Sequence, residues 1–203
     1  MDFYGYDSSF RREGFKTVAG LDEAGRGPVA GPVVAAAVVL MEGARFKGLK
    51  DSKQVPDKKR RDLFYEILYA GSGIGVGVSD VETIDRVNIL EATRLAMAAA
   101  VEDLPERPDL LLIDAVTLPS INIRQVSTYK GESVSASIAA ASIVAKVVRD
   151  GMMDRLHELY PEYGFDRHRG YCTREHLDRI MAHGPCPAHR KSFQGVMSMM
   201  LPF

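Results

Sequence analysis

Apolar residues along the chain fall into short β-branched blocks and longer blocks with helical spacing. Thr17–Asp22 and Val33–Met41 belong to the first kind and read as buried strands. Only the turn-rich stretch from Gly25-Arg26-Gly27-Pro28 to Gly31-Pro32 lies between them, too short for a helical crossover. The two strands are therefore expected to be antiparallel neighbours. Residues 56–69 follow as a predicted helix, with Pro56 in its first turn and Leu63, Phe64, Ile67 and Leu68 on one face. Ile74–Val78, with its alternating glycines, suits an edge-like third strand.

Further along, Ser79-x-x-Glu82 and Asn88-x-x-Glu91 have the form of capping boxes. The second opens a helix in which Leu90, Thr93, Met97, Ala100, Val101 and Leu104 recur at helical spacing. Leu110–Asp114 is a short apolar strand ending in an acid, and Ile121–Val126 alternates enough to be another strand. Ser133–Tyr160 reads as a long helix, nearly free of charge until Lys146 and so buried on most sides in its first half. A last helix is expected from Thr173 to about His183. The order predicts an α/β fold: a mixed sheet with helices on its faces. No repeat or linker divides the chain, so 1–203 is read as one domain.

Length and composition suit an ordinary globular protein with a real core: 203 residues, 26% charged. The longest apolar run, Val29–Met41, is too short to cross a bilayer and contains Gly31 and Pro32. The first residues lack the basic and apolar regions of a secretory signal, which makes the cytoplasm the expected address. Two cysteines are too few for a disulfide framework. A net charge of −1 argues against coating nucleic acid by bulk charge. The distribution of charge changes that picture. Arg45, Lys47, Lys50, Lys53, Lys58, Lys59, Arg60 and Arg61 form one basic group, and His168, Arg169, His189, Arg190 and Lys191 a second. Flanking candidate acids, they suggest a phosphate-bearing partner.

The candidate acids are Asp22-Glu23 at the end of the first strand, Asp114 at the exit of the apolar strand, and Glu132 before the long helix. Singly, each has a plain structural explanation as a cap, with Ser133 capping the helix after Glu132. Successive strand residues face opposite ways, so Asp22 and Glu23 share a site only if the strand ends or twists at Glu23. Together they are harder to explain away. Ligands gather at the carboxyl ends of strands in open α/β sheets, and acids crowded there repel unless a cation binds. Hard oxygen ligands without paired His or Cys select Mg²⁺ or Mn²⁺. Two such ions roughly 3.5–4 Å apart serve in-line phosphodiester displacement.

The stretch Asp22-Glu23-Ala24-Gly25-Arg26-Gly27-Pro28-Val29-Ala30-Gly31-Pro32-Val33 resembles the signature of type-2 ribonuclease H (ribonuclease HII). So do Leu49-Lys50-Asp51-Ser52-Lys53, the Asp114 strand end, the segment from Ser137 to Lys146, Tyr160–Phe165, His168–Tyr171 and His189–Phe193. The resemblance implies a ribonuclease H-like sheet with a carboxy-terminal helical extension, about 161–203, that binds substrate. It implies that Asp22, Glu23, Asp114 and Glu132 hold two Mg²⁺ or Mn²⁺ ions. Hydrolysis would fall 5′ of a ribonucleotide, in RNA–DNA hybrids or in DNA duplexes with embedded ribonucleotides, leaving a 3′-hydroxyl and a 5′-phosphate. By the same resemblance, Gly25-Arg26-Gly27 reads the 2′-hydroxyl, Tyr171 packs on the sugar, and Lys53 contacts a phosphate. A monomer is expected, with the apolar tail Val196–Phe203 docking on the core or on a partner such as a sliding clamp. One departure stands out: the family usually has Asp at position 132. The longer Glu132, as in type-3 relatives, is expected to alter metal preference toward Mn²⁺.

Other chemistries remain open at this level. A receiver-like or phosphatase-like protein, with one Mg²⁺ and a phosphate-accepting Asp, would want a helix between its first two strands. A non-catalytic duplex-binding module would leave the acids as repulsion beside a polyanion. Cys172, His176, His183 and Cys186 offer a loosely spaced zinc set.

Overall fold

Residues 3–200 are described in the computed structural model, the side chains of residues 199 and 200 excepted. Five strands form one mixed sheet in the order β3-β2-β1-β4-β5. The short Gly/Pro connection turns β1 (Val18–Ala24) back as β2 (Val33–Val39), antiparallel, with Gly20 opposite Val38. β3 (Gly73–Ser79) adds antiparallel at one edge, where its spacing placed it. β4 (Leu110–Asp114) and β5 (Arg124–Thr128) run parallel to β1 on the other side.

Strand alternation sends consecutive residues into two cores. Ala19, Leu21, Ala35, Ala37, Leu111 and Ile113 pack with Ala92, Ala96, Met97 and Ala100 of α4 (Ile89–Glu102). The glycines of β3 have their reason here. A Cβ at Gly75 or Gly77 would run into the carbonyls of Ala100 or Ala96, so α4 lies directly on the strand backbone. On the opposite face, Ala36 and Val38 pack with α2 (Asp57–Tyr69) and the buried first half of α5 (Ala136–Leu159). Gly20 permits the same close approach, since a Cβ there would strike the Ser137 backbone.

Past α5, a 3-10 turn and α6 (Phe165–His168), α7 (Arg174–His183) and α8 (Gln194–Met200) build a third small core. Val29, Ala30, Met153, Tyr163, Phe165, Ile180, Ala188 and Val196 meet in it, so the carboxy-terminal segment packs on the β1–β2 loop. Val196 thus docks on the core, while residues 201–203 of the apolar tail lie outside the described residues. No described helix is long and apolar enough to cross a membrane.

Several local expectations are corrected. An amino-terminal helix, α1 (Phe3–Arg12), was not foreseen; its buried Asp7 accepts the Ser137 amide at 2.8 Å and so ties it to the start of α5. Asp80, not Ser79, caps α3 (Val81–Val87), and the Ser79 hydroxyl donates instead to Ala92. Asn88 caps α4 as expected, but Glu91 pairs with Arg94 rather than reaching back. Leu68 is exposed. β5 starts three residues late because Gln125 brackets the preceding turn through Leu118 and Ile121. Ser135, not Ser133, caps α5, leaving Glu132 in a separate 3-10 turn.

Candidate active site

β1 and β4 are parallel neighbours whose register pairs Leu21 with Ile113, so the next residues along are Asp22 and Asp114. Adjacent strands lie about 4.8 Å apart, and residues opposite each other share a face. Both acids continue the alternation of Val18, Leu110 and Leu112, which pack on Ile138, and so face α5. Asp22 is buried and accepts the Glu23 amide at 2.7 Å. Asp114 accepts the amide of Gly131 at 2.8 Å, which fixes the 3-10 turn carrying Glu132 beside it.

Glu23 does not end its strand as expected: β1 runs on to Ala24, paired with Val34. It leaves β4 after Leu21, however, and the Glu23 carboxylate still feels Asp114 and Lys53. Arg26 donates to its Oε1 at 3.1 Å. All four acids therefore share one electrostatic neighbourhood. Burial, then the charge of Glu23, pushes the Asp22 carboxyl well above the usual range, and Asp114 raises it further. Burial raises Glu23, with Asp114 adding to it against Arg26 and Lys53. Burial likewise raises Glu132, with Asp114 and Asp51 adding to it. Lys53 is the converse. Burial lowers its ammonium, but Asp51, Asp22, Glu132 and Glu23 outweigh that and raise it.

Glu23 Oε2 and Glu132 Oε2 are buried without a hydrogen-bond partner. Among the described residues, no three His, Cys, Asp or Glu side chains are drawn together into a ready cage for an ion. Orphaned oxygens, mutual repulsion and an all-carboxylate donor set suit a hard divalent cation.

Beside the acids, Gly25 takes φ 102°, and Arg26 and Gly27 are exposed with backbone amides that have no partner among the described residues. Tyr171 is exposed next to them, its ring 3.8 Å from where a Gly27 Cβ would sit. Lys53 sits in the 3-10 turn Ser52–Gln54, capped by Asp51. The Ser52 hydroxyl accepts from Ser142 of α5 at 2.8 Å, joining that turn to the helix that faces Asp22. The four candidate acids, Gly25–Gly27, Lys53 and Tyr171 therefore lie around one end of β1.

The basic groups fare differently. Arg45, Lys47, Lys50, Lys58 and Arg61 are exposed, but Arg60 is buried and donates to Ser52 and Val55, holding the Lys53 turn. In the second group His168, His189 and Arg190 are buried, so they face the protein and not a phosphate. Arg149 and Arg190, to which the sequence reading gave no structural role, donate to carbonyls of the loop at 25–32. The zinc set does not form. His176 is hydrogen-bonded through Nδ1 to the Tyr171 carbonyl and through Nε2 to His189, and Cys172 is exposed while Cys186 is buried.

Residues 19–196 match the ribonuclease HII family. A ribonuclease HII from Bacillus pumilus is 50% identical over 195 residues, covering 96% of this chain and 76% of that protein. The crystal structure of the ribonuclease H2 from Pyrococcus horikoshii superposes with a TM-score of 0.75 at 28% identity, over 91% of this chain and 97% of that one. A structure of the PCNA:RNase HII complex from Archaeoglobus fulgidus gives 0.74 at 27% identity, over 88% and 96%. The mixed sheet flanked by helices is similar to that of ribonuclease H structures. Sequence and fold thus agree: the chain belongs to the ribonuclease HII family, nucleases that hydrolyse RNA in RNA–DNA hybrids.

Proposed function

We propose that the chain is a metal-dependent endonuclease that hydrolyses the phosphodiester 5′ of a ribonucleotide, in hybrids and in DNA duplexes with embedded ribonucleotides. The observation that carries this reading is the meeting of Asp22 and Asp114 on adjacent strand ends, with Glu23 and Glu132 beside them, next to the exposed amides of Arg26 and Gly27. Asp22, Glu23, Asp114 and Glu132 would hold Mg²⁺ or Mn²⁺, two ions in catalysis. Bound there, the ions supply an activated water and neutralise charge at the phosphate.

The chain's own groups do the rest. The amides of Arg26 and Gly27 bind the 2′-hydroxyl, at a place where Gly27 leaves the backbone bare. Tyr171 packs on the sugar and sets its register. Lys53 holds a backbone phosphate with an ammonium kept charged by the acids around it. The segment 161–203 serves as the substrate-binding extension, because its turn at 168–171 carries Tyr171 to the loop. The products are a 3′-hydroxyl and a 5′-phosphate, an outcome suited to ribonucleotide excision and DNA repair in the cytoplasm. The Archaeoglobus relative's complex with PCNA supports a sliding clamp as partner, and the tail after Val196 is the segment proposed to reach it.

Cleavage mapping on a DNA duplex with one ribonucleotide tests the proposal. Wild type should cut 5′ of the ribonucleotide only with Mg²⁺ or Mn²⁺. Asp22→Asn and Asp114→Asn should each lose more than the ~10–100-fold typical of an outer-shell metal partner. Wild-type cutting by both variants ends the mechanism. In the same assay Glu132→Asp should move the Mg²⁺/Mn²⁺ activity ratio toward Mg²⁺, and an unchanged ratio removes a role for the longer side chain in metal preference.

A further inference from the structure

We propose that Arg190 is a positioning residue for ribonucleotide recognition: its buried guanidinium pulls the carbonyls of Gly25 and Arg26 inward and thereby turns the amides of Arg26 and Gly27 out toward the sugar hydroxyl. The inference rests on the reading of those amides given above and names the group that orients them.

The geometry follows from the peptide unit. In a trans peptide the C=O of one residue and the N–H of the next lie in one plane and point opposite ways. Arg190 Nη2 donates to the Gly25 carbonyl at 2.6 Å, so the amide of Arg26 must point away from it. Arg190 Nη1 donates to the Arg26 carbonyl at 3.1 Å, which does the same for the amide of Gly27. The same Nη1 reaches Pro28 at 2.7 Å, and Nε reaches Gly31 at 2.9 Å. The Arg190 backbone amide donates to Val29 at 2.9 Å. One residue therefore orients five carbonyls between Gly25 and Gly31. In the peptide after Pro28, the Val29 amide, likewise turned away from Arg190, donates to Gly170 at 2.9 Å, next to Tyr171. The grip on the loop thus extends to the ring proposed to pack on the sugar.

No side-chain carboxylate hydrogen-bonds Arg190 among the described residues; carbonyl dipoles and the ring of Phe193, 5.0 Å from the guanidinium carbon, surround it. Burial lowers its pKa to about 9, which leaves it charged at neutral pH. A fork of donors in fixed geometry can span these carbonyls, whereas a lysine ammonium is a single point on a flexible stem. Arg149 makes the useful contrast. It is equally buried and packs against Gly25, but the carbonyls it donates to are those of Ala30, Pro32 and Arg169, none of which shares a peptide with the amide of residue 26 or 27.

The test compares wild type, Arg190→Lys and Arg149→Lys in cleavage of a duplex with one ribonucleotide. The all-DNA duplex of the same sequence is added as a competitive inhibitor. For Arg190→Lys, kcat/KM should fall at least about 30-fold while the inhibition constant of the all-DNA duplex moves less than about twofold, because that duplex offers the loop no hydroxyl. Arg149→Lys should keep the ratio of the two within about threefold of wild type. An Arg190→Lys enzyme that retains the wild-type ratio overturns the proposal, as does an equal change in both variants. Should Arg190→Lys not fold, the wild type carries the test without divalent cation. Its Arg190 guanidinium N–H signals should shift with the one-ribonucleotide duplex and not with the all-DNA duplex, and identical spectra overturn the idea. Wild type that fails to cut at the ribonucleotide sinks the functional reading instead, a result distinct from all of these.

Discussion

At the scale of single residues, the acids at the end of β1 are held against their own electrostatics. A carboxyl whose pKa is raised by folding binds its proton more tightly in the folded chain than in the unfolded one. Its contribution to stability is complete below the ordinary carboxylate pKa and is lost as pH rises through the raised value. Asp22 is such a group, so at neutral pH without a cation its charge destabilises the fold. Asp22→Asn should therefore raise the melting temperature of the metal-free protein at pH 7, by about 2–4 °C for each kcal/mol relieved in a chain of this length. The same substitution should diminish any stabilisation on adding Mg²⁺, since a ligand stabilises only the state that binds it. Thermal melts of both proteins with and without Mg²⁺ check this, and a variant less stable than wild type in the metal-free state contradicts it. These acids were legible in the sequence because a charged residue at the end of an apolar strand is conspicuous. The burial of Arg190 was not, since His-Arg-Lys reads equally well as a solvated basic run.

At the scale of elements, the site depends on how closely α5 approaches β1. Gly20 lets the Ser137 backbone sit where a Cβ would be, and the same helix carries Ser142, whose hydroxyl acts on Asp22 and bonds Ser52. Gly20→Ala should cost about 1–3 kcal/mol through overpacking. It should also lower activity beyond the loss of folded protein, because the shift moves Asp22 relative to the Lys53 turn. Activity normalised to the folded fraction decides the point: an unchanged value means the helix position is not what aligns the acids. Periodicity found α2, α4, α5 and α7 to within a few residues, since each has an apolar face or a capping residue that announces it. It missed α1, where Phe3, Tyr4 and Phe10 alternate with Gly, Ser and Asp, and the helix is tied to the protein by Asp7, 130 positions from its partner Ser137.

At the scale of the whole molecule, the carboxy-terminal segment braces the β1–β2 loop. His189 accepts the Cys186 amide on Nδ1 at 2.9 Å, so its proton lies on Nε2 and is directed at His176, which donates from Nδ1 to Tyr171. This chain needs both rings neutral. Burial lowers each pKa to about 4, below the ordinary value of about 6.5. With the folded value depressed, the contribution is complete above about 6.5 and is lost as pH falls toward about 4. The melting temperature of His189→Gln should therefore depend less on pH than that of wild type across this window. Parallel curves would show that the ring is not held neutral by the fold.

Contiguous residues carried the family resemblance, the sheet's opening hairpin and the positions of the acids, because strand ends, glycine-rich turns and capping residues are local chemistry. Tertiary structure alone decided which cations face solvent and which face the protein. Arg149 and Arg190 lie among basic or mixed-charge neighbours in the sequence, yet their guanidiniums are spent on backbone carbonyls. The physical reason is that a buried charge is tolerable only where distant segments supply enough oriented dipoles to replace water. Those dipoles, lying as far as 165 positions from Arg190, exist only once the chain has folded.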